Sequence, residues 1–162
     1  MNPPALGLID TRAQFQAAVR SAFAQIATAG TREIWLCDED FADWPLNDSQ
    51  IVEHLSQWAS AHRRCTVLTN GYDILQRQHP RWVHWRRERS HVVHCRTPDE
   101  SHSNPLPCLL LAPGCLTLRL IDRERWRGSL STDLADAVRE RERLDALMQR
   151  SVEAFPSSTL GL

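Results

Sequence analysis

The sequence predicts an α/β domain with a mixed, mostly parallel sheet and helices on both faces, in the order αβαβαβββα. Three observations carry that prediction. Apolar residues recur at helical spacing and then in short continuous runs, and the two patterns alternate along the chain. The runs Ile34-Trp35-Leu36-Cys37, Thr66-Val67-Leu68 and Val92-Val93-His94-Cys95 have strand length and are bounded by turn-forming or polar residues. The pair Pro113-Gly114 divides two further apolar runs as a hairpin turn would. Crossovers between parallel strands are right-handed, which leaves few arrangements open.

Asp10 or Thr11 caps the first helix, whose apolar side is Phe15, Val19, Ala22, Phe23 and Ile26, and Gly30 ends it. Glu33 to Asp38 is the first strand. Asn47 or Asp48 caps a second helix, with Ile51, Val52, Leu55, Trp58 and Ala59 along one side. Arg64 to Thr69 is the next strand, punctuated by Asn70-Gly71. Tyr72 to Arg89 reads as helical with a break at His79-Pro80, because the residue before proline avoids the helical region. His91 to Arg96 is a third strand, and a polar loop from Thr97 to Pro107 leads to the hairpin of Cys108–Leu111 and Cys115–Ile121. A long helix from Thr132 or Asp133 to Phe155 closes the order. Its predicted stripe is Leu134, Val138, Leu144, Leu147/Met148, Val152 and Phe155, interrupted by Arg141, and Arg139-Glu140-Arg141-Glu142-Arg143 forms a solvated ladder opposite. With no repeat and no linker, residues 1–162 read as one domain with its core at about 10–155.

The chain has 162 residues, 42% hydrophobic and 24% charged, with a net charge of −1, which excludes a disordered or fibrous protein. Its longest apolar stretch, Leu106 to Ile121, is broken by Pro113-Gly114 and carries Arg119, so no membrane partner is expected. Met1 to Gly7 carries no secretory pattern, and five cysteines without C-x-x-C spacing point to free thiols and a cytoplasmic location. All 19 basic residues are arginine, which excludes every mechanism that needs a lysine amine. His91 and Cys95 share a strand face without a third ligand, and His54 and His62 lie too far apart on one helix, so no metal site is predicted.

The series Phe15 to Ile26, Ile34-Trp35-Leu36, Ile51-Val52-Glu53-His54-Leu55 and Val67-Leu68 resembles one half of a phospholipase D-like protein over roughly residues 10–155. The resemblance implies that fold and, by analogy, a two-fold pairing of such units. In catalytic members a hairpin strand carries His-x-Lys with an acid five positions after the lysine. The histidine attacks phosphorus and the lysine holds a phosphate oxygen. The matching stretch here, Asn104 to Pro113, has no histidine, lysine or carboxylate, and His102 just upstream is followed two residues on by Asn104. Gly128-Ser129 matches the Gly-Ser that follows the motif, which makes both residues candidate phosphate contacts. The resemblance therefore implies a non-catalytic member without cofactor, acting through protein association or a phosphate-rich ligand. Six tryptophans and segregated charge suit a homodimer.

Two other stretches carry candidate chemistry. Gln76 to Arg96 holds six arginines against one acid, Glu88. Arg77, Arg81, Arg86, Arg87 and Arg89 could fork onto phosphates and Trp85 could stack on bases, the residue mix of a nucleic-acid-binding module. The same stretch also suits a wet helix face with Trp82 and Trp85 as core anchors. Leu36 to Asp40 places Asp-x-Asp at the end of a strand, and Val67-Leu68-Thr69-Asn70 follows one helix later. That pair resembles the first two motifs of haloacid dehalogenase-like phosphatases. It implies Asp38 as nucleophile, Asp40 as acid/base, Thr69 on the phosphate and Mg²⁺ on the carboxylates. The third motif's usual lysine is absent, and the competing reading of Asp38 to Asp43 is an acidic junction that caps its own loop.

Overall fold

The structure is a computed structural model that describes residues 7–60, 62–99 and 105–156. Its elements in chain order are β1 (Gly7–Ile9), α1 (Arg12–Ala29), β2 (Glu33–Cys37), α2 (Ser49–Trp58), β3 (Arg64–Leu68), α3 (Asp73–Gln78), α4 (Pro80–Glu88), β4 (Val93–Pro98), β5 (Cys108–Ala112), β6 (Leu116–Asp122), β7 (Arg127–Ser131), α5 (Leu134–Gln149) and β8 (Ser151–Glu153). The chain starts α1 at Thr11, whose hydroxyl accepts from Gln14 N at 3.1 Å, and ends it at Gly30 with φ 67°. Asp48 caps α2 by accepting from Gln50 N at 2.9 Å. Pro80 opens α4, where its missing N–H costs nothing.

One sheet runs in the order β1-β7-β6-β5-β2-β3-β4-β8. It is mixed, as the sequence predicts, but mostly antiparallel. Among the described strands only β2–β3 and β3–β4 pair in parallel. The meander β5–β6–β7 turns through short loops and must pair antiparallel, and β5 meets β2 antiparallel. The three-residue strands β1 and β8 extend the two edges, also antiparallel. Three residues are too few to show a period, and β7, Arg-Gly-Ser-Leu-Ser, has one large apolar residue, so none of these strands is legible as such.

Helices cover both faces. Ile34 and Leu36 of β2, Cys65 and Val67 of β3, and Val93 and Cys95 of β4 join the apolar sides of α1, α2 and α4 in the larger core. The alternate residues Trp35, Cys37, Leu109 and Leu111 meet α5 through Leu144, Leu147 and Met148. The predicted stripe of α5 is out of phase at its start. Leu134 is 71% and Val138 57% exposed, whereas Glu140 is 6% exposed. Charge sets this phase. Arg119 of β6 donates to Glu140 at 2.9 Å and reaches Asp136 at 3.6 Å, and Arg143 donates to Glu140 at 3.3 Å. Arg141 pairs with Glu33 and lies over the Trp35 ring, 5.4 Å from its centroid. Glu140 and Arg141 of the ladder are thus fastened to the sheet, while Arg139, Glu142 and Arg143 are exposed as predicted. The helix also stops at Gln149, short of the predicted Phe155, because Ser151 turns into β8 and accepts from Arg96 Nε at 2.7 Å. Val152 is exposed there, and Phe155 stacks on Tyr72 at 4.9 Å.

Candidate functional site

Trp82 and Trp85 are buried, with rings 6.1 Å apart, and anchor α4 to the larger core. Trp85 therefore offers no exposed face to a base. The arginines of the same stretch divide by position. Arg81 bonds Asn47 through its amide and Nη1 at 2.9 and 3.1 Å, and Arg77 reaches only the Asp73 carbonyl, at 3.5 Å. Both stand at the end of α3–α4 nearer the β2–α2 loop. Arg87 and Arg89 stand at the other end, where α4 runs into β4, and no described residue bonds either guanidinium.

That end gathers more arginine than the sequence analysis singles out. Arg64 opens β3, and its amide donates to the Arg32 carbonyl at 2.9 Å, while Cys65 N donates to Val92 O at 2.8 Å. The segments entering β2, β3 and β4 thus lie side by side. Arg32 and Arg64 are exposed, and no described residue bonds or pairs with either side chain. Elsewhere most guanidinium groups are engaged: Arg12 with Asp43, Arg20 with Asp48, Arg123 with Asp38, and Arg119, Arg139, Arg141 and Arg143 within the α5 network. Arg32 and Arg64 each directly precede or begin an apolar strand run, a sequence signal that could have found them.

Beside this end, a pocket of about 490 Å³ follows the outer edge of β4, lined by Arg64, Arg86, Ser90, Val93–Arg96, Glu153, Ala154 and Pro156. Arg86 is only 5% exposed. Its Nη2 donates to Phe155 O at 3.1 Å, and its Nε and Nη1 are buried without a partner among the described residues. The Cys95 thiol beside it is pushed up to about 11 by burial, against the pull of Arg86. His94 is held below its ordinary value by burial and by Arg64, Arg86 and Arg96, with Glu153 opposing. Arg96 itself is committed to Ser151.

The acidic junction lies at the opposite ends of the same strands. Asp38 follows β2 and is buried. Its Oδ1 accepts from Arg123 Nη1 at 2.7 Å, and its Oδ2 accepts from the amides of Phe41 at 2.8 Å and Asp40 at 3.3 Å. Asp40 accepts from Ala42 N at 2.9 Å, and the Thr69 hydroxyl donates to the Glu39 carbonyl at 2.8 Å. The carboxylates thus hold their own loop, and Arg123 ties it to the segment leading into β5 by donating to Leu106 O at 2.7 Å. Arg123 lies 85 residues from Asp38, beyond any local sequence signal. Among the described residues no group of three or more His, Cys, Asp or Glu is arranged to hold a metal ion. Burial pushes the Cys37, Cys65 and Cys108 thiols up, away from the reactive thiolate.

Gly128 has a packing role, since a Cβ there would overlap the Arg119 carbonyl of β6. Ser129 lies opposite Leu8 of β1 and Arg119 of β6, far along the sheet from the Arg86 pocket. His102 and Asn104 lie outside the described residues. No described helix is long and apolar enough to cross a membrane.

Residues 15–155 match a family described as Domain of unknown function (DUF7931). No curated protein matches the chain. Among solved structures it is similar to TrmBL2, an archaeal chromatin protein whose structure shows a novel mode of DNA binding, with a TM-score of 0.62 at 12% identity. The alignment covers 92% of this chain and 55% of that one, so the chain spans about half the length of its structural neighbour.

Proposed function

We propose that this chain, which belongs to the family described as Domain of unknown function (DUF7931), is a non-catalytic domain that binds nucleic acid through its phosphates. One observation carries the reading: the guanidinium groups of Arg32, Arg64, Arg87 and Arg89, which no described residue pairs, collect where the chain enters β2, β3 and β4. Guanidinium forks without internal carboxylates are free to neutralise phosphates and release counterions. The fold shared with a DNA-binding chromatin protein supports the same direction. The scaffold, in this reading, is phospholipase D-like without the nucleophile or phosphate-holding cation of that family, and the domain works in the cytoplasm. With buried tryptophans, recognition rests on the backbone and is largely independent of base sequence.

The test is a salt titration of binding to a single-stranded oligonucleotide. Four phosphate contacts give a slope of log K against log salt of about −3. Replacing Arg64 and Arg87 by glutamine should bring that slope to about −1.5 and weaken binding alike for unrelated sequences. A flat salt response, or a double variant that binds as the parent does, overturns the reading.

The reading extends to self-association, on a separate observation. Leu134 and Val138 of α5 and Ile121 of β6, 73% exposed, stand on the same side of the sheet without a described partner surface. A second copy is the proposed cover.

A further inference from the structure

The pocket along β4 has features the basic rim lacks. It is built around a buried charge. The Arg86 guanidinium is withdrawn from water, yet among the described residues only its Nη2 has an acceptor, the Phe155 carbonyl, while Nε and Nη1 have none. Such a group is costly to leave unmatched, and no described residue brings a carboxylate to it. Glu153, the one acid among the described lining residues, is exposed on β8. Arg64 and Arg96 add two further cations and Ser90 a hydroxyl, so the lining has an excess of two positive charges. A phosphodiester carries one negative charge, whereas a phosphate monoester carries about −1.5 to −2 at neutral pH. The lining therefore matches a monoester.

The shape points the same way. β8 pairs with Arg96, Thr97 and Pro98, and the Ala154 amide continues the contact to Cys95 O at 3.0 Å. This closes the strand edge at one end and leaves Val93 and His94 beside the opening. A passage blocked at one end admits a chain terminus or a small molecule rather than a backbone running through. Arg64 belongs to both the pocket and the rim, so the end of a strand held on the rim can reach the pocket.

We propose that the Arg86 pocket is a receptor for a terminal phosphate monoester, resting on the nucleic-acid reading above for the strand that carries it. Arg86 forms the inner half of the cradle, Arg64 the outer half, and Ser90 donates its hydroxyl.

The test compares single-stranded oligonucleotides of one sequence bearing a 5′-phosphate, a 3′-phosphate or no terminal phosphate, by fluorescence anisotropy at fixed salt. One terminal phosphate should tighten binding about ten-fold, the scale of one bidentate charged contact. Arg86→Met should bring the ratio of phosphorylated to unphosphorylated affinity to one. Arg64→Gln, at an exposed position, should lower the same ratio several-fold and decides the matter if Arg86→Met does not fold. Equal affinities for all three oligonucleotides overturn the pocket while leaving the rim intact, as does an Arg86→Met protein that keeps the full ratio. A mononucleotide that raises the melting temperature of the parent but not of Arg86→Met, with no oligonucleotide bound, sustains the pocket and overturns the nucleic-acid reading.

Discussion

His79 sits beneath the loop that follows β2, where its Nε2 hydrogen-bonds the Phe41 carbonyl at 2.8 Å. Burial holds its pKa below the ordinary value in spite of that bond. Burial and three guanidinium groups do the same to His94. The unfolded chain therefore takes up these protons first, near the ordinary value of 6.5, and the folded chain only at lower pH. Stability from both groups is complete above that value and declines as pH falls through it. The urea midpoint should drop between pH 7 and pH 5, before most carboxylates titrate, and His79→Gln should flatten the decline. A midpoint that rises toward pH 5 contradicts the assignment. At this scale the sequence discloses residue types and not their partners. Asp38 is legible as an acid closing a strand, but the Arg123 that occupies it is supplied by the turn after β6. Trp85 is legible as a large aromatic, and its side of α4 is settled only by packing.

Elements with a strong period are read correctly, caps included. Thr11 and Asp48 cap the helices they are expected to cap, and Phe15, Val19, Ala22, Phe23 and Ile26 face inward. The break at His79-Pro80 separates α3 from α4 as the proline requires. Helix α5 defeats the same method because Glu140 and Arg141 serve as its anchors, and a hydropathy pattern scores charge as outward. β7 escapes notice for the opposite reason, being nearly bare of large side chains, and Gly128 lets it approach β6 closely. Gly128→Ala forces a Cβ against the Arg119 carbonyl and the Leu120 Cα. It should cost about 1–3 kcal/mol in chemical denaturation, the range for overpacking a tight contact. A change under a few tenths would show that β6 and β7 separate freely.

The α/β class and the layers on both faces follow from alternation, whereas the balance of parallel and antiparallel pairing depends on edge strands that alternation does not reach. α5 spans only part of its face, leaving Ile121 of β6 open, and its own Leu134 and Val138 point away from the sheet into the open. If a second copy covers them, sedimentation at micromolar concentrations should give a dimer, and Val138→Glu combined with Ile121→Glu a monomer of unchanged helix content. A parent that stays monomeric removes that part of the proposal. The placement of charge has one more consequence. Glu39 and Asp40 stand at one end of the central strands and Arg32, Arg64, Arg87 and Arg89, which no described residue pairs, stand at the other, so these groups give a body of net charge −1 a dipole component along the strands. Near a rod of phosphates it experiences a torque as well as a pull, and arrives with its arginine end foremost. Its rate of encounter should fall with ionic strength as a cation's does, although its overall charge is that of a weak anion.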